Sequence, residues 1–155
     1  MHSRVVDTQV VELIGRNRLG SELLRDGLEV AVPARDRGID LIAYLDLSAN
    51  TKKFMARPIQ MKAASKKSFS LYRKYARIAD LIIVYIWFVE NPEKTEMYAL
   101  IYSEALSVAT KMGWTKTHSW KMGGYSTNSP SEKLRALLKP YRMHGGDWKK
   151  KILSK

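Results

Sequence analysis

The chain of 155 residues contains no cysteine and only three histidines. The absence of cysteine excludes disulfide bonds and thiolate metal sites, and it is typical of a protein in a reducing compartment. His2, His118 and His144 are isolated in the sequence, and none has a metal-ligand partner at helical spacing. This distribution argues against a zinc site and against a catalytic site built on histidine.

Long apolar segments and recognisable targeting or phosphate-binding segments are also missing. The longest apolar run, residues 81–88, is too short to cross a bilayer and predicts a buried strand. No basic segment followed by an apolar one opens the chain, so we expect a cytoplasmic protein without membrane contact. The pairs Gly123-Gly124 and Gly145-Gly146 lack the surrounding residues of a nucleotide-binding glycine loop.

Basic residues are present in excess, and their distribution is uneven. The net charge is +12, and the hydrophobic content of 45% predicts a folded chain, by its length a single domain over residues 1–155. Residues 1–61 carry nine basic and eight acidic side chains, whereas residues 62–155 carry 18 and seven. The second part therefore indicates a polyanionic partner such as nucleic acid, the simpler alternative being a generically basic surface.

Periodicity and capping signals predict an α/β fold in the order αβββαββα, a mixed central sheet flanked by helices. Asp7 or Thr8 can cap the first helix, and Gly27 can end it. Residues 46–53 form a polar hairpin loop, and residues 113–155 are an extension with a short helix and a loose basic tail. The predicted helices are 8–26, 71–78 and 103–111, and the predicted strands are 28–32, 38–45, 54–62, 80–88 and 96–102.

Three polar residues on two apolar strands indicate a catalytic site. Asp40 is the one carboxylate in the strand from Gly38, and a buried charge is costly unless it is paired or holds a metal. Gln60 and Lys62 share one face of the next strand, because side chains alternate with a period of two. An acid, an oxygen ligand and a lysine suit a Mg²⁺-dependent phosphodiesterase.

The same residues form a motif: Pro33-x-x-Asp36-x-Gly38-x-Asp40, followed after nineteen residues by Gln60-x-Lys62. It resembles that of the PD-(D/E)-x-K nuclease superfamily, over roughly residues 7–102. The resemblance implies a restriction-endonuclease-like fold, a bound Mg²⁺ or Mn²⁺ and a DNA substrate. Asp40 would be a metal ligand and Lys62 would activate water or stabilise phosphate charge. Gln60 stands where the family usually has an acid, and it would ligate through its amide oxygen, with the Met61 carbonyl as a further possible ligand.

Two more carboxylates have competing interpretations. The family often places a glutamate of the first helix near the metal, which makes Glu12 the candidate metal ligand and Glu22 its competitor. Glu12 shares the angular position of Leu19 and Leu23 on the helix, but it could instead form an exposed ion pair with Arg16. Asp36 could be a metal carboxylate, although its position favours a turn residue that bonds its own backbone.

Basic and aromatic residues after the motif are candidates for nucleic-acid binding. Tyrosines and cations interleave after residue 71, which suits a nucleic-acid strand, and one of the tyrosines is expected in the core. Trp114, Trp120 and Tyr125 could stack on bases, but tryptophans that pin an irregular segment onto the core are the favoured interpretation. The residues predicted to contact phosphate are Ser65, Lys66, Lys67, Arg73 and Lys74.

Three functions are compatible with these features. The leading one is a Mg²⁺- or Mn²⁺-dependent nuclease, which as a monomer would cut one strand and as a homodimer would cut both. The alternative is a nucleic-acid-binding module that retains a nuclease-like fold without activity, because Gln60 replaces an acid. The third is a structural subunit that docks another enzyme through its aromatic C-terminal region.

Overall fold

The computed structural model describes residues 7–45 and 54–154. The strands are β1 (Leu28–Ala31), β2 (Leu41–Leu45), β3 (Ala56–Ala63), β4 (Phe69–Tyr72), β5 (Ile82–Trp87), β6 (Glu96–Ile101) and β7 (Gly124–Thr127). The α-helices are α1 (Thr8–Arg25), α2 (Tyr102–Lys111), α3 (His118–Lys121), α4 (Glu132–Leu138) and α5 (Trp148–Leu153). Short 3₁₀ helices cover Arg73–Arg77, Trp114–Lys116 and Lys139–Tyr141.

Five strands form a mixed central sheet in the order β1-β2-β3-β5-β6, as the predicted α/β architecture requires. β1, β2 and β3 are an antiparallel meander, β5 runs parallel to β3, and β6 is antiparallel to β5. A separate antiparallel pair joins β4 to β7. The parallel pairing places the polar end of β3 in the middle of the sheet.

The first helix packs on the sheet through one stripe. The Asp7 carboxylate accepts hydrogen bonds from the backbone N–H groups of Gln9 and Val10, which confirms the predicted cap. The buried residues of α1 recur every four positions, which is one face of a helix: Val11, Gly15, Leu19 and Leu23. Glu12 lies beside this stripe and is exposed.

Two apolar layers cover the two faces of the sheet. Every residue of β5 is buried, because its side chains alternate between the layers. Ile82, Val84 and Ile86 pack in the layer that contains α1 and α5. Ile83, Tyr85 and Trp87 pack in the layer that contains α2, α4 and the β4–β7 pair. Among the described residues, no helix has the length and apolar character needed to span a membrane.

Some predicted boundaries around the motif were wrong. The second strand begins at Leu41 and not at Gly38, because Gly38 has a φ of +91°, a left-handed conformation that a strand does not accommodate. The third strand is Ala56–Ala63 where residues 54–62 had been expected. The predicted hairpin loop at 46–53 lies outside the described residues.

The predicted helix at 71–78 was also wrong. Phe69 and Leu71 are buried and alternate with half-buried residues, so this segment begins as a strand, β4. Its partner β7 lies more than fifty residues further along the chain, with Leu71 opposite Tyr125. The chain is helical only in the 3₁₀ turn Arg73–Arg77 that follows.

The prediction of a loose C-terminal tail fails for the residues described up to 154. Trp148 and Ile152 of α5 are buried in the layer that contains α1. The two carboxylate oxygens of Asp26 accept hydrogen bonds from the N–H groups of Gly146 and Trp148, each at 2.8 Å. This segment therefore completes the core and is not a free basic arm.

Candidate metal centre and its basic surroundings

Asp40 is a buried carboxylate immediately before β2, with only 4% of its surface exposed. Its backbone N–H donates to the carbonyl of Ile59 at 2.8 Å, so the β2–β3 ladder extends to this residue. Its Oδ2 accepts hydrogen bonds from the N–H of Met61 at 2.6 Å and from Nε2 of Gln60 at 2.8 Å. β3 therefore holds one oxygen of Asp40 in a fixed position.

Gln60 faces Asp40 across the two strands, as the predicted shared site requires, but it serves as a donor. Its amide nitrogen donates to Asp40 and also to the Met61 carbonyl at 3.2 Å. The sequence pattern predicted an oxygen ligand at this position. A glutamine differs from the usual acid because its NH₂ group can bond the neighbouring carboxylate, and here that bond decides the orientation of the side chain.

Three carboxylates converge where β2 begins. Glu12, Asp36 and Asp40 each offer a carboxylate oxygen, and these oxygens lie within 4.8 Å of one another. Asp36 also accepts a hydrogen bond from the N–H of Gly38 at 3.3 Å, so it is the predicted turn residue and a member of this acidic group. Carboxylate oxygens are the ligands of hard divalent cations, and the group could hold a metal ion.

The pKa of Asp40 is shifted by its burial and by the neighbouring carboxylates. Burial raises the pKa of Asp40 above its ordinary value, and the negative charges of Asp36 and Glu12 raise it further. The N–H of Met61 and the charge of Arg16 act in the opposite direction and lower the pKa. A divalent cation among these oxygens would favour the ionised form of all three carboxylates.

The ion pairs of α1 bear on the competing interpretations of Glu12 and Glu22. Over residues 7–45 and 54–154, the ion pairs are Arg25 with Glu22 at 3.7 Å and Lys151 with Glu104 at 2.7 Å. Neither pair joins Glu12 to Arg16, which was the alternative considered for Glu12, and Glu22 pairs with Arg25 and is not a member of the acidic group. Nε of Arg16 is buried without a hydrogen-bond partner in the described part of the chain, a feature that the sequence did not indicate.

Lys62 lies two residues beyond Gln60 on β3 and is half-buried. Its Nζ lies 5.2 Å from the ring centroid of Tyr72 and 5.3 Å from that of Tyr75. Nζ of Lys74 lies 5.8 Å and 5.6 Å from the same two rings. The two lysines share one pair of tyrosines, which orders both ammonium groups through cation–π contacts.

Tyr75 is the tyrosine of this pair on which the charges of the acidic group act. It is the core tyrosine that was expected in this segment, with 3% of its surface exposed. Burial raises the pKa of Tyr75, Lys74 lowers it, and the charges of Asp40 and Asp36 are among the further effects that raise it.

The other predicted contacts are dispersed around the end of β3. The hydroxyl of Ser65 donates to the Glu90 carboxylate, so a phosphate at Ser65 would have to displace an anion. Lys66, Arg73 and Lys74 are exposed, and Lys67 is half-buried.

The two tryptophans considered for base stacking belong to the core. Trp114 and Trp120 are buried, and Trp114 stacks on Tyr125 with ring centroids 4.3 Å apart. The favoured interpretation, that the tryptophans pin this segment onto the core, is confirmed.

Comparisons of the chain with protein-family models, with curated proteins and with solved structures give no match.

Proposed function

We propose that the protein is a metal-dependent nuclease that hydrolyses phosphodiester bonds, with DNA as its substrate. The observation that carries the proposal is the convergence of the Glu12, Asp36 and Asp40 carboxylates within 4.8 Å where β2 begins, beside the strand β3 that carries Lys62. Helix α1 supplies one of these oxygens, and the segment before β2 supplies the other two. The three negative charges repel one another unless a cation neutralises them, which a bound Mg²⁺ would do.

The topology supports a restriction-endonuclease-like fold. A helix, an antiparallel meander carrying the site and then two covered strands are what the resemblance implies. One difference lies between the third and fourth strands of the sheet, where the expected helix is replaced by β4 and the 3₁₀ turn Arg73–Arg77.

The donor set fits Mg²⁺ or Mn²⁺. All three candidate ligands offer carboxylate oxygens, and Mg²⁺ keeps several waters, so three carboxylates are sufficient. Gln60 is not needed as a ligand in this arrangement. Its role would be to hold Oδ2 of Asp40 through the 2.8 Å hydrogen bond, so that the Asp40 carboxylate is fixed in position for a cation.

The side chains around the acidic group have distinct roles in hydrolysis. A bound Mg²⁺ supplies a Lewis acid for the phosphate and a more acidic water. Lys62, ordered by the two tyrosine rings, orients that water or donates to a phosphate oxygen.

Asp40→Asn and Lys62→Ala test the proposal. Asparagine keeps an acceptor for Met61 and Gln60 but removes the charge, so the fold should survive. We expect each variant to lose roughly a hundredfold or more of the nicking of circular DNA and the cutting of single strands with Mg²⁺ or Mn²⁺. The same assay in EDTA should show no cleavage, and Lys149→Ala on the exposed surface of α5 should cut like the wild type.

Thermal unfolding with and without Mn²⁺ separates the two roles. Stabilisation by the metal should disappear in Asp40→Asn and persist in Lys62→Ala, because only Asp40 is a ligand. Undiminished cleavage by both variants would refute the nuclease proposal.

The hydrogen bond from Gln60 to Asp40 favours the second candidate, a nucleic-acid-binding module without activity, because an amide donor stands where a carboxylate ligand is usual. That function predicts binding in EDTA that weakens with salt, and no cleavage with any metal.

A further inference from the structure

A second concave site lies beside the pair of tyrosines. It is an open cavity of about 700 Å³ between the 3₁₀ turn, the start of α2 and the turn that connects α3 to β7. We name it the basic pocket. Its lining residues are Tyr72, Arg73, Lys74, Ala76, Arg77, Tyr102, Lys121, Met122 and Gly123.

The charge of the basic pocket has one sign. Arg73, Lys74, Arg77 and Lys121 line it and are all exposed. No acidic side chain is among its lining residues within the described part of the chain. A concave surface with four cations and no anion attracts a polyanion, and its donors suit phosphate oxygens.

The pocket also offers apolar surface at its walls. Tyr72 and Tyr102 are half-buried, and Met122 is 75% exposed on the turn before β7. A volume of about 700 Å³ lies in the range of small-ligand sites. Cations beside tyrosine rings are how proteins bind an unpaired nucleotide, whose base stacks while its phosphate is held by charge.

The basic pocket adjoins the proposed catalytic lysine. The ring of Tyr72 lines the pocket and lies 5.2 Å from Nζ of Lys62 and 5.8 Å from Nζ of Lys74. A nucleotide bound in the pocket would therefore be a neighbour of the phosphate at Lys62.

We propose that the basic pocket binds an unpaired nucleotide next to the cleaved phosphate, so that the substrate is a single strand or carries an unpaired segment. This inference rests on the proposed nuclease function. A base inside a duplex is stacked on both faces and cannot enter a pocket unless it is extruded. A blunt duplex would therefore engage the cations but not the tyrosine walls.

The proposal also assigns a substrate-binding role to the C-terminal segment, through residues other than the tryptophans that its sequence pattern offered for base stacking. Lys121, Met122 and Gly123 come from this segment, and the β4–β7 pairing holds them against Tyr72. The approach is close at Gly124, where a Cβ would lie 2.5 Å from the Leu71 carbonyl oxygen. The extension thus completes the substrate site.

Binding in EDTA tests the pocket without cleavage. Fluorescence anisotropy would compare a labelled single-stranded oligonucleotide with a blunt duplex of the same sequence. We expect the wild type to bind the single strand about tenfold more tightly, the contribution of one stacked base. Tyr102→Leu should remove this preference and leave duplex binding unchanged, and Tyr102→Phe should retain it.

A second set of variants reports on charge without risk to the core. In Arg77→Ala/Lys121→Ala, the slope of log K against log salt for the single strand should fall by about 1.4, or about 0.7 per lost phosphate contact. The matched control Lys149→Ala/Lys150→Ala removes the same charge from α5, on the other face of the sheet, and should keep the wild-type slope. Met122→Glu at the exposed turn should weaken binding of the single strand more than binding of the duplex.

Two outcomes would refute the proposal for the basic pocket. One is that the wild type binds the duplex as tightly as the single strand, and the other is that Tyr102→Leu and Met122→Glu both keep the wild-type preference for the single strand. Cleavage assays of Asp40→Asn keep this test separate from the nuclease proposal. Metal-dependent cleavage without a single-strand preference refutes the pocket alone. A single-strand preference without cleavage supports the pocket and refutes the nuclease.

Discussion

At the scale of single residues, the sequence pattern predicts which strand residues meet at the site but not every hydrogen bond between them. Asp40, Gln60 and Lys62 were predicted to share one site from the period of two and the cost of a buried charge. The structure does place Asp40 and Gln60 opposite each other. The hydrogen bond from the Gln60 amide to Asp40 was not predicted, because it depends on which groups surround Asp40 once the strands have paired.

The donor role of Gln60 gives a prediction for Gln60→Glu. In EDTA the variant should lose about 1–3 kcal/mol of unfolding free energy, since the hydrogen bond to Asp40 is replaced by a second carboxylate. With Mn²⁺ it should gain more stability than the wild type does, because a fourth carboxylate group is then available to the metal. Urea unfolding in EDTA and in Mn²⁺ measures both quantities.

Asn128→Asp is the matched control for this charge change. Asn128 is exposed between β7 and α4 and does not belong to the acidic group, so an added acid there should have little effect. Equal responses of the two variants to Mn²⁺ would show that position 60 does not face a metal site.

At the scale of elements, the contact between α1 and β3 depends on a glycine. A Cβ at Gly15 would lie 2.7 Å from Cβ of Ala63 and 3.4 Å from Sδ of Met61. A Cβ at Gly20, on the same helix, would meet nothing within 4 Å. Alanine substitutions at the two glycines therefore distinguish the effect of close packing from the effect of helix propensity.

Gly15→Ala should destabilise the protein by about 1–3 kcal/mol, because α1 has to move away from β3. Gly20→Ala should stabilise it by about 0.5–1 kcal/mol, because alanine is the better helix residue and its methyl group has space. Chemical denaturation of both variants is the measurement. A stable Gly15→Ala would mean that α1 does not approach β3 this closely.

Element prediction succeeded where the signal was local and failed where it was not. The N-terminal cap at Asp7 and the apolar strand β5 are visible in a few consecutive residues. β4 was mistaken for the start of a helix because its partner β7 is distant in sequence. The burial of α5 was missed because a short basic segment shows nothing of the Asp26 carboxylate that binds its first turn.

At the scale of the whole molecule, both apolar layers share one sheet, and β5 contributes alternate residues to each. Neither layer can lose its packing without exposing a face of β5, so we expect unfolding in one cooperative step. Native-state hydrogen exchange in rising denaturant should give the same opening free energy for Leu19 of α1 and Val108 of α2. A lower value on one side would show that the two layers unfold separately.

The uneven charge of the chain also acts at this scale. Four of the cations after residue 62 line the basic pocket beside the tyrosines. The polyanionic partner inferred from the charge stays a prediction, as does the homodimer that would cut both strands. The positive sign of the charge could be predicted from the composition. The concave shape of the pocket could not, because β4, α2 and the turn before β7 form it together.

The hydrogen bonds of Asp40 have a consequence for how this protein can evolve. Its N–H bonds the carbonyl of Ile59 and its carboxylate bonds the N–H of Met61, so the alignment of β2 with β3 and the geometry of the acidic group are one constraint. A slip of one residue would reverse every side chain and separate these partners. Insertions within either strand should therefore be eliminated by selection.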